Sequence, residues 1–275
     1  MENLPVRPVR LLQISDTHCY ADHDARLEWS DLPVQPNRSL QRLLAHLAER
    51  AGDFAALIIS GDLVQEETAA SYRRVRELLQ GFPLPIYTLP GNHDIPELMR
   101  SELADDHAGI YFTPQACFER WHCLLLDTSL PQHADGHLST RQLTQFQNQL
   151  EQLKNDDQVL IIMHHHPLPI GSPWMDSMGL QQAEAFWKLA AGFPQVRALS
   201  FGHIHHEFVG HYRKSEGSDI AVYGTPATCV QLKHVGDQLE FDHTRPAWRE
   251  FSLYADGRVE TSVHYLDDEP TAVQP

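Results

Sequence analysis

No apolar run in the 275 residues approaches the roughly 20 needed to span a bilayer as a helix, so no membrane partner is expected. The Met1–Pro5 start has neither the basic nor the apolar stretch of a secretory leader. Cysteine is sparse: Cys19, Cys117, Cys123 and Cys229 form no CxxC pair and no dense framework, which predicts free thiols and a cytoplasmic setting. Basic side chains are also few, 21 against 37 acidic ones, giving a formal charge of −16. A surface of that sign repels nucleic-acid backbones and anionic membranes, so nucleic acid is not an expected partner. Low-complexity, repetitive and linker-like stretches are missing as well. One domain over residues 1–266 is therefore expected, followed by a polar tail at 267–275 that frays. Monomer and homodimer both stay open.

What the chain does have is a βα rhythm and eighteen histidines. Val9–Ile14, Phe54–Ile59 and Leu84–Leu89 read as buried strands. Leu40, Leu43, Leu44 and Leu47 follow the i, i+3, i+4, i+7 spacing of an amphipathic helix, and Tyr72–Leu79 reads as a second helix. This βαβαβ order predicts parallel pairing with right-handed crossovers. His122–Asp127 and Val159–Met163 are further strands, separated by a helix marked by Leu143, Phe146, Leu150 and Leu153. A helix near Gln181–Ala191 leads into a strand at Val196–Ser200. After that the helices stop. Short runs at 206–212, 219–223, 227–232 and 248–265 read as antiparallel strands, with a hairpin turn at Asp256-Gly257. Pairing that begins parallel and ends antiparallel predicts an α/β class of two packed sheets flanked by helices.

The residues able to do chemistry collect just past these strands. They are Asp16-Thr-His18, Gly61-Asp62, Gly91-Asn-His-Asp94, His164-His-His-Pro167 and Gly202-His-Ile-His205. Singly, each has an ordinary reading, because Asp and Asn after a strand are common turn formers and helix caps. Gly91–Asp94 alone fits a turn ahead of a helix begun by Pro96. Five clusters at equivalent strand ends point instead to one site, since ligands in open α/β sheets bind outside the carboxyl ends of the strands. His203 and His205, two apart on an extended segment, face the same side. A mixture of carboxylate, amide and imidazole suits Mn²⁺, Fe²⁺, Co²⁺ or Zn²⁺, and thiolate is not expected in the set. The seven donors Asp16, His18, Asp62, Asn92, His164, His203 and His205 are too many for one ion. They suit two if a carboxylate bridges, and two ions about 3.5–4 Å apart form a clamp for in-line phosphoryl displacement. Such a centre stays locally positive after Asp16, Asp62 and a hydroxide are counted, so the acidic surface does not prevent phosphate binding. That surface charge is screened beyond a Debye length of about 8 Å.

As a set, these clusters resemble the calcineurin-like metallophosphoesterases from Asp16 to His205. Longer stretches resemble one subgroup, the bacterial class III 3′,5′-cyclic nucleotide phosphodiesterases of the CpdA type. They are Leu12–His18, Leu89–Asp94, Met163–Pro169, Thr225–Gln231 and Pro246–Arg249. The resemblance implies a four-layer αββα sandwich of two mixed sheets flanked by helices. It implies two divalent ions, Fe²⁺ and/or Mn²⁺ foremost, with Zn²⁺ or Co²⁺ as alternatives. Asp16, His18 and His205 would hold one ion, and Asn92, His164 and His203 the other, with Asp62 bridging. His164 is preferred to His165 and His166 because it lies nearest the strand end; the other two would stand behind it. His93 would contact the phosphate and protonate the leaving alkoxide, with Asp94 either orienting His93 or capping a helix. His18, Asp62, Asn92, His93 and His205 would then border the substrate. The implied reaction is attack of a metal-bridging hydroxide on cyclic AMP, giving 5′-AMP. Trp174–Asp176 and Pro226–Gln231 are expected at the pocket rim. Three rival readings remain: a phosphodiesterase for glycerophosphodiesters or nucleoside diphosphate derivatives, a non-catalytic scaffold of the same fold, and a nuclease, which the acidic charge disfavours.

Overall fold

Side-chain alternation along the first strand, β1 (Val9–Ile14), already sets out the layers. Leu12 and Ile14 point to a helix-covered core, while Leu11 joins a core shared with a second sheet. The computed structural model describes residues 7–214, 217, 219–234 and 239–267, so the Met1–Pro5 start and the tail from 268 lie outside the described residues. β1 pairs in parallel with β2 (Ala56–Ser60), and β2 with β3 (Ile86–Leu89). The crossovers are α1 (Pro36–Ala48) and α2 (Ala69–Leu79). α1 begins with Pro36 in its first turn, where a missing N–H costs nothing, and α2 is capped by the Thr68 side chain accepting from the Ser71 amide. α3 (Pro96–Leu98) runs into a π turn at Met99–Leu103, and β4 (Ile110–Tyr111) adds to the parallel edge.

The second sheet takes β5 (Gln115–Phe118), β6 (Trp121–Leu126), β7 (Gln158–Met163), β8 (Val196–Phe201), β9 (Phe208–Tyr212) and β10 (Ile220–Gly224). Its helices are α4 (Thr140–Glu151), α5 (Pro173–Asp176) and α6 (Ala183–Ala190). The chain then makes a small ribbon of β11 (Leu232–Lys233) and β12 (Glu240–Phe241), and ends in the hairpin β13 (Ala247–Leu253) and β14 (Val259–Tyr265). The strand orders are β14-β13-β1-β2-β3-β4 and β5-β6-β7-β8-β10-β9, each mixing parallel and antiparallel pairs. Leu40, Leu43, Leu47, Tyr72 and Val75 cover the outer face of the first sheet; Phe146, Leu150, Phe186 and Trp187 cover that of the second. Leu11, Ile58, Leu125, Leu160, Ile162 and Phe251 fill the space between the sheets. This is the expected αββα order of layers. No helix of the described residues is long and apolar enough to cross a membrane.

Three details differ from expectation. β10 was expected to pair antiparallel throughout, yet it inserts between β8 and β9 and runs parallel to β8. The run at 227–232 is a closed loop for most of its length. The Gln231 amide folds back to bond both the N–H and the carbonyl of Ala227, so only Leu232 and Lys233 pair as strand. β4, β5 and the π turn were not anticipated, because elements of two to five residues carry no readable period.

Towards the carboxyl ends of the strands, the filling between the sheets turns polar. The Gln13 amide donates to Ser60 Oγ at 2.7 Å, and Ser200 Oγ donates to Gln13 Oε1 at 2.6 Å. Ser15 Oγ donates to the Ser60 carbonyl at 3.1 Å. These buried groups satisfy one another and form the floor on which the clustered histidines and carboxylates stand.

Candidate metal centre

Past β1, β2 and β8 the backbone turns through conformations that side chains rarely adopt. Asp16, His18, Asp62, His203 and His205 all have positive φ, between 45° and 69°. Each such residue costs about 1–3 kcal/mol and persists only where its surroundings over-determine it. Here neighbouring loops do so. The amides of Asp16, His18 and Cys19 donate to the carbonyls of Gly61, Asp62 and Leu63 at 2.9–3.0 Å. The His203 amide donates to both Asp16 oxygens at 3.1 and 3.2 Å. Packing is just as tight at Gly91, where a Cβ would collide with Asp62 Oδ1 and press on His164 Cε1 at 2.8 Å.

The side chains converge accordingly. Asp62 Oδ2 lies 3.3 Å from His164 Nε2 and 3.6 Å from His18 Nε2, while Oδ1 accepts from the His93 amide at 2.9 Å. One carboxylate oxygen thus faces imidazoles carried by opposite sheets. His205 Nε2 is 3.3 Å from Asp16 Oδ1 and 3.3 Å from His18 Nε2, and His164 Nε2 is 3.2 Å from Asn92 Oδ1. The Nδ1 atoms point outward onto oxygens: His18 onto Gln65 Oε1 at 2.9 Å, His164 onto the Ser60 carbonyl at 2.8 Å and His205 onto the Val230 carbonyl at 2.7 Å. An oxygen acceptor there fixes the proton on Nδ1 and turns the Nε2 lone pair inward. His203 Nε2 is buried without a hydrogen-bond partner among the described residues. Converging buried lone pairs of nitrogen and oxygen are costly unless a cation sits among them, and this donor chemistry suits first-row divalent ions. The residues fit such a centre.

In the ion-free protein, protons take the cation's part. Burial raises the Asp62 carboxyl, but His164, His93 and His18 outweigh it and hold Asp62 well below the ordinary carboxylate range. Burial opposes charge on His164 too, yet Asp62 raises it to about 9; Asp16 likewise holds His205 well above its usual value. Burial takes His18 down to about 3 and keeps His203 neutral. Loading with divalent ions at pH 8 should therefore expel about one proton from His164, with release from His205 adding to it. Calorimetry in buffers of different ionisation enthalpy measures this directly. Because the His164 value is raised, its contribution to the stability of the ion-free fold is full below about pH 6.5 and is lost as pH climbs through about 9. The melting temperature of the ion-free protein should fall across that window, and that of the ion-loaded protein should lack this component.

All seven expected donors belong to this cluster. Of the three consecutive histidines, His164 approaches Asp62 and Asn92. His165 Nδ1 bonds Thr128 Oγ1 at 2.7 Å, and His166 Nε2 lies 3.7 Å from Asp176 Oδ1. His93 is half-buried, its ring 5.0 Å from that of His18. Asp94 has a different part from the expected one. Its carboxylate accepts from the amides of Leu63 and Gly91 and from the Tyr72 hydroxyl at 2.9–3.2 Å, so it braces the Asp62 loop against the Asn92 loop. Burial, reinforced by the charge of Asp62, pushes its carboxyl up to about 7. Trp174 and Met175, expected at the rim, pack instead into the helix-side core of the second sheet.

Three residues escaped the sequence reading of the site. Gln65 holds His18, Tyr72 holds Asp94, and Trp29 lies against His18 and His205 at ring distances of 5.6 and 5.8 Å. Cys229, in the stretch expected at the rim, has its Sγ within 4.8 Å of donor nitrogens of both His18 and His205. The Thr228 amide, bonded to the Ser15 carbonyl at 2.8 Å, pins that loop over β1. Nothing local in the sequence marks Gln65, Tyr72 and Trp29 for this site; only the fold brings them in.

The profile of the calcineurin-like phosphoesterase family matches residues 9–207. The 3′,5′-cyclic adenosine monophosphate phosphodiesterase CpdA of Vibrio vulnificus is 34% identical over 96% of this chain and 93% of its own length. The protein of the same description from Escherichia coli K12 is 35% identical over 97% of this chain and 92% of its own. Among solved structures, a dimetal phosphatase from Danio rerio superposes with a TM-score of 0.64 at 15% identity, covering 94% of this chain and 99% of that one. At that identity the likeness concerns the fold.

Proposed function

This chain belongs to the calcineurin-like phosphoesterase family, and from that premise we propose that it hydrolyses 3′,5′-cyclic AMP to 5′-AMP with two divalent ions. The observation that carries the reading is the placement of Asp62 Oδ2 between His18 and His164. Asp16, His18 and His205 hold one ion, Asn92, His164 and His203 the other, and Asp62 serves both. Fe²⁺ and/or Mn²⁺ suit this mixture of oxygen and imidazole donors. When bound, two such ions supply charge to the phosphate oxygens and a nucleophile derived from water.

The rest of the chemistry falls to the protein's own groups. His93, half-buried beside His18 and fixed through its amide by Asp62, donates a proton to the departing 3′ oxygen. Gln65, Ser60 and Val230 hold three imidazoles in the tautomer that leaves Nε2 free. Asp94, through Gly91, Leu63 and Tyr72, keeps the two loops at the spacing the donors need. The choice of a cyclic nucleotide is supported by relatives of that description aligned over nearly the whole chain. A cytoplasmic setting and exclusion of nucleic acid belong to the same reading, supported by the four free thiols and the charge of −16. Cyclic AMP, glycerophosphocholine and a UDP-sugar assayed side by side test the substrate. Turnover of cyclic AMP at least an order of magnitude above both is expected; equal or faster hydrolysis of either rival overturns it.

A further inference from the structure

Trp29 stands in the long connection between β1 and α1, which is fastened over the His205 side of the centre. Tyr20, Leu27 and Val34 of that connection pack with Ala227, Cys229 and Val230 into a separate small core. From this support the indole meets the rings of His18 and His205 edge-on, at interplanar angles of 75° and 65°. Its Nε1 donates to Gln65 Oε1 at 2.9 Å, the same oxygen that accepts from His18 Nδ1. Phe241 backs it at 5.9 Å, tilted by 30°. Both rings are half-buried. The fold therefore locks a large aromatic surface beside the imidazoles of His18 and His205 without covering it fully.

We infer that Trp29, backed by Phe241, is the stacking surface for the nucleobase and sets the preference of this site for nucleotides over other phosphodiesters. The inference rests on the phosphodiesterase reading above. In a 3′,5′-cyclic nucleotide the base lies one ribose away from phosphorus; in the protein the indole lies one imidazole away from the inward-facing Nε2 atoms. A neutral π face also adds affinity for an anionic substrate without asking anything of a chain that is itself strongly acidic. Stacking tolerates any base because every base has a π face, so cyclic GMP is accepted as well as cyclic AMP.

The test compares cyclic AMP with ribose 3′,5′-cyclic phosphate lacking the base, using ion-loaded full-length protein. In the parent protein the KM for the abasic compound exceeds that for cyclic AMP by about tenfold or more, the worth of one stacked base. Trp29→Ala raises the KM for cyclic AMP towards that of the abasic compound, so the ratio collapses towards one. Trp29→Phe keeps most of the ratio although it lacks the bond to Gln65. If Trp29→Ala and Trp29→Phe instead lower kcat for both substrates together and reduce ion content, the indole merely positions Gln65 and His18, and the inference is overturned. A parent protein that handles both substrates equally also overturns it while leaving the phosphodiesterase reading intact. A parent inert to both overturns that reading itself.

Discussion

Replacing Asp62 by alanine is expected to cost at least one bound ion per chain and to lower turnover by about a thousandfold or more. A single preorganised electrostatic group at a reacting phosphoryl or carbonyl oxygen is worth about 10²–10³ in turnover, and Asp62 is proposed to serve two ions at once. The change also removes the anion that charges His164 across the sheets and the carboxylate beside His18 on the neighbouring strand end. His164 then loses its chief reason to stay protonated, so proton release on loading should shrink in the same variant. Elemental analysis, turnover and calorimetry together check the prediction. A scaffold that had merely kept the fold would retain its behaviour after Asp62→Ala. Retention of both ions with near-parent turnover would remove Asp62 from its bridging place.

The second large effect separates three adjacent histidines. His164→Ala should match Asp62→Ala in turnover and lose the ion shared with Asn92 and His203, because its Nε2 is the nitrogen that faces Asp62 and Asn92. His165→Ala should weaken ion affinity by about 10–100-fold, the usual cost of removing a group that supports a ligand. Its ring packs on His164 and His203 at 4.9 and 4.8 Å, and its Nδ1 is tied to Thr128. His166→Ala should act mainly on stability, since its ring is buried near Asp176 and stacks on His203 without approaching Asp62 or Asn92 within the described contacts. Ion content and melting temperature of the three variants give the order. If His165→Ala rather than His164→Ala empties the second position, the assignment is wrong.

The choice of His164 rested on its nearness to the strand end, and the facing of the residues before it agrees with that choice. Leu160 and Ile162 face the other sheet while Ile161 and Met163 face the helices, and continuing that alternation turns His164 towards Asp62. Most donors were readable for a similar reason: each follows a strand whose own pattern is plain. What could not be read depends on contacts between segments far apart in the chain. The thiol of Cys229 reaches His205 because Thr228 docks on Ser15, and Trp29 reaches His18 because its loop shares a core with Ala227 and Val230. Asp94 looked like a partner for its neighbour His93, but its oxygens are held by Tyr72 and by two loop amides. The parallel placement of β10 was hidden because a strand's own residues do not say which neighbour it will lie beside.

The left-handed residues Asp16, His18, Asp62, His203 and His205 are held by hydrogen bonds to adjoining loops. The polypeptide's own bonds therefore contribute to the shape of the centre. Those bonds run between protein groups, so they are expected to survive chelation. A chelated sample should refill without refolding, and which metal occupies it would then follow supply at the moment of refilling, not the history of the nascent chain.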